Sequence, residues 1–142
     1  MREEEALAKG LNIYSVIKGW GISSDGKGGI TRPKAETQQL ALKRAYERAG
    51  YPISAINLFE AHGTGTPVGD KVELTALVNE LKLADKAANT PVVGSVKHLI
   101  GHAKAAAGIA GLIKASLSIR NRIIPPAILT VSCSTFRKLS TD

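Results

Sequence analysis

Residues 101–119 are spaced as a helix yet offer almost no polar face. Ala103, Ala105, Ala106, Ala107, Gly108, Ile109, Ala110, Gly111, Leu112 and Ile113 are interrupted only by Lys104. A helix that is apolar all round is buried all round, and side chains this small admit close neighbours. At 142 residues the chain is one domain or a piece of one. It is too small to wrap such a helix between two layers by itself. The apolar stretch 105–113 is also far too short to span a bilayer, and Lys114 ends it.

Upstream, strand-like and helix-like stretches alternate. Residues 13–22 carry Val, Ile, Tyr and Trp and read as a strand. A loop holding Gly26, Gly28 and Gly29 follows over 23–30. Pro33 can open a helix, and 37–48 place Leu40, Ala41 and Ala45 on one face before Gly50 and Pro52 end it. Residues 55–61 read as a short buried strand and 62–69 as a loop rich in glycine and threonine. Asp70 is a suitable N-cap, with Glu73 completing a capping box. The helix beyond it carries Val72, Leu74, Leu77, Val78 and Leu81. Residues 91–96 form a third candidate strand, and Pro125-Pro126 end regular structure. The pattern predicts an α/β layer. It divides into a remnant of a preceding helix at 1–12, a domain at 13–126 and an irregular tail at 127–142.

Charge and cysteine usage narrow the class. The formal net charge is +7, but the basic residues are dispersed. No arginine-rich arm, zinc-finger spacing or aromatic-rich strand accompanies them, which argues against nucleic acid. A solvated basic surface remains, and it would suit an acidic protein partner. A single cysteine, Cys133, cannot form an intramolecular disulfide, so a reducing cytoplasmic setting is expected. The acidic start, with no apolar run behind it, does not read as a signal peptide.

Two short strings carry the chemistry: His62-Gly63-Thr64-Gly65-Thr66 and Lys97-His98-Leu99-Ile100-Gly101-His102. Each places a histidine where a strand gives way to a loop. A neutral imidazole donates one N–H to an oxyanion while its other nitrogen is held by a partner. Two such donors on one oxygen would stabilise a thioester enolate. Lys97, at the end of a strand, could orient one histidine and hold it neutral. Gly63, Gly65 and Gly101 allow close backbone approach to a substrate. Thr64 and Thr66 alternate, so in an extended loop their hydroxyls share one side and could bind the amides of an extended ligand. A metal alternative pairs His98 with His102 and adds His62, but Gly101 would break the shared helix face.

These strings carry a family resemblance. Residues 60–70 (Glu60 to Asp70), Val93-Gly94-Ser95-Val96-Lys97, Ile100-Gly101-His102, Ala105-Ala106-Ala107-Gly108 and Ala110-Gly111-Leu112-Ile113-Lys114 resemble the C-terminal half of β-ketoacyl synthases. The nearest type is the ketosynthase domain of polyketide and polyunsaturated-fatty-acid synthases. Ser24-Asp25-Gly26 and Ile30-Thr31-Arg32-Pro33 fit the loop before its first helix.

The resemblance implies the C-terminal half of a thiolase-like αβαβα layered fold and an acyltransferase that performs decarboxylative Claisen condensation. By matching position, His62 and His102 bind the thioester oxygen and assist decarboxylation, Lys97 supports them, and Thr64 and Thr66 bind the phosphopantetheine arm. That arm belongs to an acyl carrier protein; no cofactor or metal is expected on the chain itself. The family's nucleophile, on an Asp-x-Ala-Cys-Ser type of turn, is not in these residues and is expected on an N-terminal ketosynthase half. The isolated chain is then inactive. Cys133 is in the wrong place to replace that nucleophile, and His98 and Leu99 depart from the family's pattern. A homodimer through the small-residue helix is expected. The competing reading is a non-catalytic ketosynthase-like interaction module.

Overall fold

The computed structural model describes residues 1–26, 33–84 and 91–126. Part of the expected 23–30 loop, and the 127–142 tail with Cys133, lie outside the described residues.

The first helix, α1 (Glu3–Ala8), opens on three glutamates, which suit the positive end of its dipole, and buries no residue. Glu3 also pairs with Lys18 at 3.1 Å on the surface.

Residues 13–22 do not form the expected strand. They lie against the second helix, α2 (Ala35–Ala49). A Cβ added to Gly19 would run into the Ala45 carbonyl oxygen, and one on Gly21 into that of Ala41. Arginines from the same helix take the segment's carbonyls: Arg48 donates to Trp20 O at 2.6 Å and Arg44 to Ile22 O. Alternating apolar residues make a strand only beside a strand edge. Here a helix presents itself instead, and two glycines let it come close.

Helix α2 matches the expected span and closes on Gly50, whose φ of +76° supplies the left-handed turn that ends many helices. A short 3₁₀ turn, Ile53–Ala55, leads into β1 (Leu58–Glu60). The strand is shorter than expected because this turn takes its first residues. Helix α3 (Pro67–Leu83) then crosses over to β2 (Val92–Gly94). The two strands are parallel, with Leu58, Phe59 and Glu60 opposite Val92, Val93 and Gly94. Parallel strands need such a crossover. Its buried face, Leu74, Ala76, Leu77 and Val78, forms the core with Ile53, Val96 and Ala107.

Asp70 does not cap α3. Thr66 occupies the N-cap without a side-chain cap bond, and Pro67 takes the first turn. Proline suits that place because its missing N–H would have no helical partner. Asp70 instead accepts the Gly65 N–H at 3.2 Å.

The expected 101–119 helix is divided. A short helix, α4 (Lys97–Ile100), ends at Gly101 with φ +73°. A 3₁₀ turn, Lys104–Ala106, precedes α5 (Ala107–Asn121). Lys97 therefore starts a helix and does not end a strand. Nor is α5 buried all round: Ala107, Gly111 and Ser118 are covered, whereas Ile109 and Ile113 are each 54% exposed. No helix among the described residues is long and apolar enough to cross a membrane.

Candidate active site

The ends of β1 and β2 deliver the two motif strings to one place. Their parallel pairing continues one residue past β1, where the Ala61 N–H donates to Gly94 O at 2.7 Å. His62 and Ser95, the next residue on each side, are joined by a Ser95 hydroxyl bond to the His62 carbonyl at 3.3 Å. The switch point at the carboxyl ends of parallel strands is where α/β folds expose loop residues for chemistry.

Glu73 holds the His62 turn in shape. One carboxylate oxygen accepts the His62 N–H at 2.6 Å and the other accepts the Gly63 N–H at 2.9 Å. The sequence pattern assigns Glu73 to a capping box. It does reach back to N–H groups ahead of its helix, but to those of the histidine loop. Gly63 has φ +46°, and a Cβ there would lie 2.8 Å from Ser95 Cβ. No other residue fits between the loop and Ser95, which is itself 2% exposed.

The β2 side turns differently. Ser95 Oγ also accepts the Lys97 N–H at 3.3 Å, and Val96 starts the short turn of α4. Gly101 reverses the chain, and His102 follows. His102 Nδ1 accepts the Lys104 N–H at 3.1 Å. In a neutral ring that bond leaves Nε2 as the protonated, donating nitrogen.

The two histidine rings meet edge to face, with centroids 5.4 Å apart and planes at 82°. Both residues are exposed, as an open reaction surface requires. Desolvation, then the charges of Lys97 and Lys104, then His62, hold the His102 pKa below the ordinary histidine value. The Lys97 charge is thus one of those that disfavour the imidazolium form.

The two threonines also come together. Their hydroxyls are 3.2 Å apart on one side of the loop. The loop is not extended as expected, since Gly65 between them has φ +79°. A Cβ on Gly69 would lie 2.5 Å from the Thr66 hydroxyl oxygen, so that glycine leaves room for it. Both threonines are exposed.

His98 is the remaining histidine. It lies on α4, its Nδ1 is buried without a hydrogen-bond partner, and its Nε2 is near Gly63. No group of three histidine, cysteine, aspartate or glutamate side chains among the described residues could hold a metal ion.

At the end of β1, ahead of His62, lies a contact that the sequence pattern does not predict. Glu60 and Lys114 form an ion pair at 2.7 Å, with side chains only 12% and 11% exposed. The other Glu60 oxygen accepts the Val96 N–H at 2.5 Å. A cation directly after the apolar run 105–113 is the signal that could have found it.

The chain resembles known proteins in sequence and in fold. The family profile described as "Beta-ketoacyl synthase, C-terminal domain" matches residues 14–130. A polyunsaturated fatty acid synthase of Thraustochytrium sp. is 45% identical over 130 residues, 89% of this chain and 5% of that protein. The highly reducing polyketide synthase claI of Penicillium crustosum is 43% identical over 131 residues, covering 89% and 6%. This chain thus spans about a twentieth of those relatives' length. Among solved structures, the ketosynthase from module 6 of the bacillaene synthase of Bacillus subtilis 168 superposes with a TM-score of 0.85. It is 39% identical, over 89% of this chain and 23% of that one. The oxazolomycin ketosynthase domain OzmH KS7 of a Streptomyces albus strain gives 0.82 at 35% identity, over 89% and 22%.

Proposed function

The chain belongs to the β-ketoacyl synthase family, as its C-terminal domain with a thiolase-like fold, and on that premise we propose how it contributes to catalysis. It is the C-terminal part of a β-ketoacyl-[acyl carrier protein] synthase of fatty acid or polyketide synthesis. An N-terminal half carries the cysteine that holds the growing acyl chain. The second substrate is malonyl on the phosphopantetheine arm of an acyl carrier protein.

Decarboxylation breaks the bond between the malonyl carboxylate and its α-carbon. CO₂ leaves, and the electron pair passes into an enolate of the thioester. His62 and His102 donate N–H bonds to the enolate oxygen, and stabilisation of this kind is the largest single term in many such reactions. The enolate carbon then attacks the acyl thioester, and the cysteine sulfur departs as thiolate. A neutral histidine serves here with its proton on the nitrogen that faces the substrate. The bond from the Lys104 N–H to His102 Nδ1 supports that tautomer, and the nearby lysine charges support the neutral form. Thr64 and Thr66 offer paired hydroxyls to the amides of the phosphopantetheine arm.

The observation that carries this reading is the meeting of the two histidine rings, 5.4 Å apart, one from the loop after β1 and the other from the turn after α4. The test is reconstitution with a cysteine-bearing N-terminal half. Acyl and malonyl carrier-protein substrates should give CO₂ and a β-ketoacyl product. An assembled, acylated protein that releases no CO₂ overturns the reading.

A further inference from the structure

The ion pair between Glu60 and Lys114 joins the end of β1 to α5, and no step of the proposed reaction uses it. Burying two charges costs desolvation, and apolar residues of similar volume often serve stability as well or better. Stability alone is therefore a poor reason for such a pair. What an ion pair with a further hydrogen bond adds is direction.

Each of its contacts reaches an element that carries a site residue. Glu60 ends β1, two positions before His62. Its Oε1 accepts the N–H of Val96, the residue before Lys97, at 2.5 Å. Its Oε2 takes the Lys114 ammonium at 2.7 Å, and Lys114 lies on α5, which the His102 segment enters. Gly111 makes the approach possible: a Cβ there would come 3.2 Å from Glu60 Cγ. One carboxylate thus joins the three chain segments that must hold His62, Lys97 and His102 in register.

We propose that Glu60, fixed by Lys114 and seated against Gly111, is a positioning residue that sets the spacing of the two histidines for decarboxylation. The inference rests on the functional reading above and extends it below the surface. It separates two steps. Acyl transfer to the cysteine does not need both histidines on one enolate oxygen, whereas decarboxylation does.

The test uses the complete synthase that contains this chain. It measures acyl loading, CO₂ release from malonyl carrier protein and KM for that substrate. Glu60→Gln keeps an acceptor for Val96 but leaves Lys114 unpaired. Pairing Glu60→Gln with Lys114→Met removes both charges at similar volume. Glu60→Asp keeps the charge and withdraws it by one methylene. In each, kcat for CO₂ release should fall about ten- to a hundredfold, the scale of a small misplacement of reacting groups. Acyl loading and KM should change by less than about twofold, because only the transition-state interaction is lost. The double variant should melt no lower than the wild type.

A folded double variant that releases CO₂ at the wild-type rate overturns the assignment. So does failure of all three variants to fold, which would make the pair purely structural. Equal losses in loading and CO₂ release also overturn it. A wild-type synthase that loads acyl chains but releases no CO₂ defeats the functional reading itself, and this inference with it.

Discussion

His62 and His102 face each other edge to face with ring centroids 5.4 Å apart, although the whole α3 crossover and β2 lie between them in the chain. A carboxylate on α3 holds the first, and a backbone N–H of its own loop holds the second. Glu73 grips the His62 turn, and the Lys104 N–H fixes Nδ1 of His102.

If both rings donate to one enolate oxygen, either is indispensable to decarboxylation. In the reconstituted synthase, His62→Ala or His102→Ala should lower CO₂ release by about 10²–10³-fold, the usual cost of one oxyanion donor. Acylation of the partner cysteine should persist. Normal CO₂ release by His62→Ala would remove it from the site.

The charge of Lys97 disfavours the imidazolium form of His102. Lys97→Met removes part of that opposition, so the His102 pKa should rise toward the ordinary histidine value. The acidic limb of the rate profile should move to higher pH with it. Titration of the ring resonances by NMR checks the direction, and an unmoved or lowered pKa contradicts the assigned role of Lys97.

The chain alone should form no β-ketoacyl product from acyl and malonyl carrier-protein substrates, since the proposed nucleophile belongs to the other half. Mass spectrometry of the reaction is sufficient. Product that still forms after Cys133→Ala would show that a different nucleophile is present.

Helix α5 leaves Ile109, Ile113 and Leu117 exposed, while Ala107 and Gly111 face inward. The small residues that the sequence offers for a dimer contact are therefore partly used within the chain, with Gly111 against Glu60. Association of this chain, if it runs through α5, should be weakened by Ile109→Lys or Ile113→Lys without loss of fold. Lysine at Gly111 should instead disrupt the fold. Sedimentation, with circular dichroism as control, separates the two effects. Unchanged sedimentation on both isoleucine substitutions would place the contact elsewhere.

At Gly21 the 13–22 segment leaves no room for a side chain against α2. Gly21→Ala puts a methyl group into the Ala41 carbonyl, so the segment must lift or the helix must shift. Overpacking of this kind costs about 1–3 kcal/mol, and thermal melting should show the loss. A melting temperature equal to the wild type's would mean that this contact does not form in solution.

The sequence by itself determined most of the local order. Helix α2 is legible in its apolar spacing and its Gly50 stop, and the parallel strands in short apolar runs separated by a helical stretch. The two histidine strings, Lys97 and the paired threonines are legible too, because each motif is short and its residues have few other uses in combination. Gly101 reads as a helix break and is one. Tertiary structure decided what depends on a partner far along the chain. Residues 13–22 have strand-like composition, but their neighbour is a helix whose arginines take their carbonyls. Asp70 and Glu73 have the spacing of caps, yet their carboxylates serve the loop ahead, because Pro67 already opens the helix. Glu60 and Lys114 look like separate charges in sequence. Only folding brings them together, in a place where both are largely covered and each charge needs the other. Periodicity and capping are local properties of a chain, whereas the partner of a buried charge or a strand edge is set by packing.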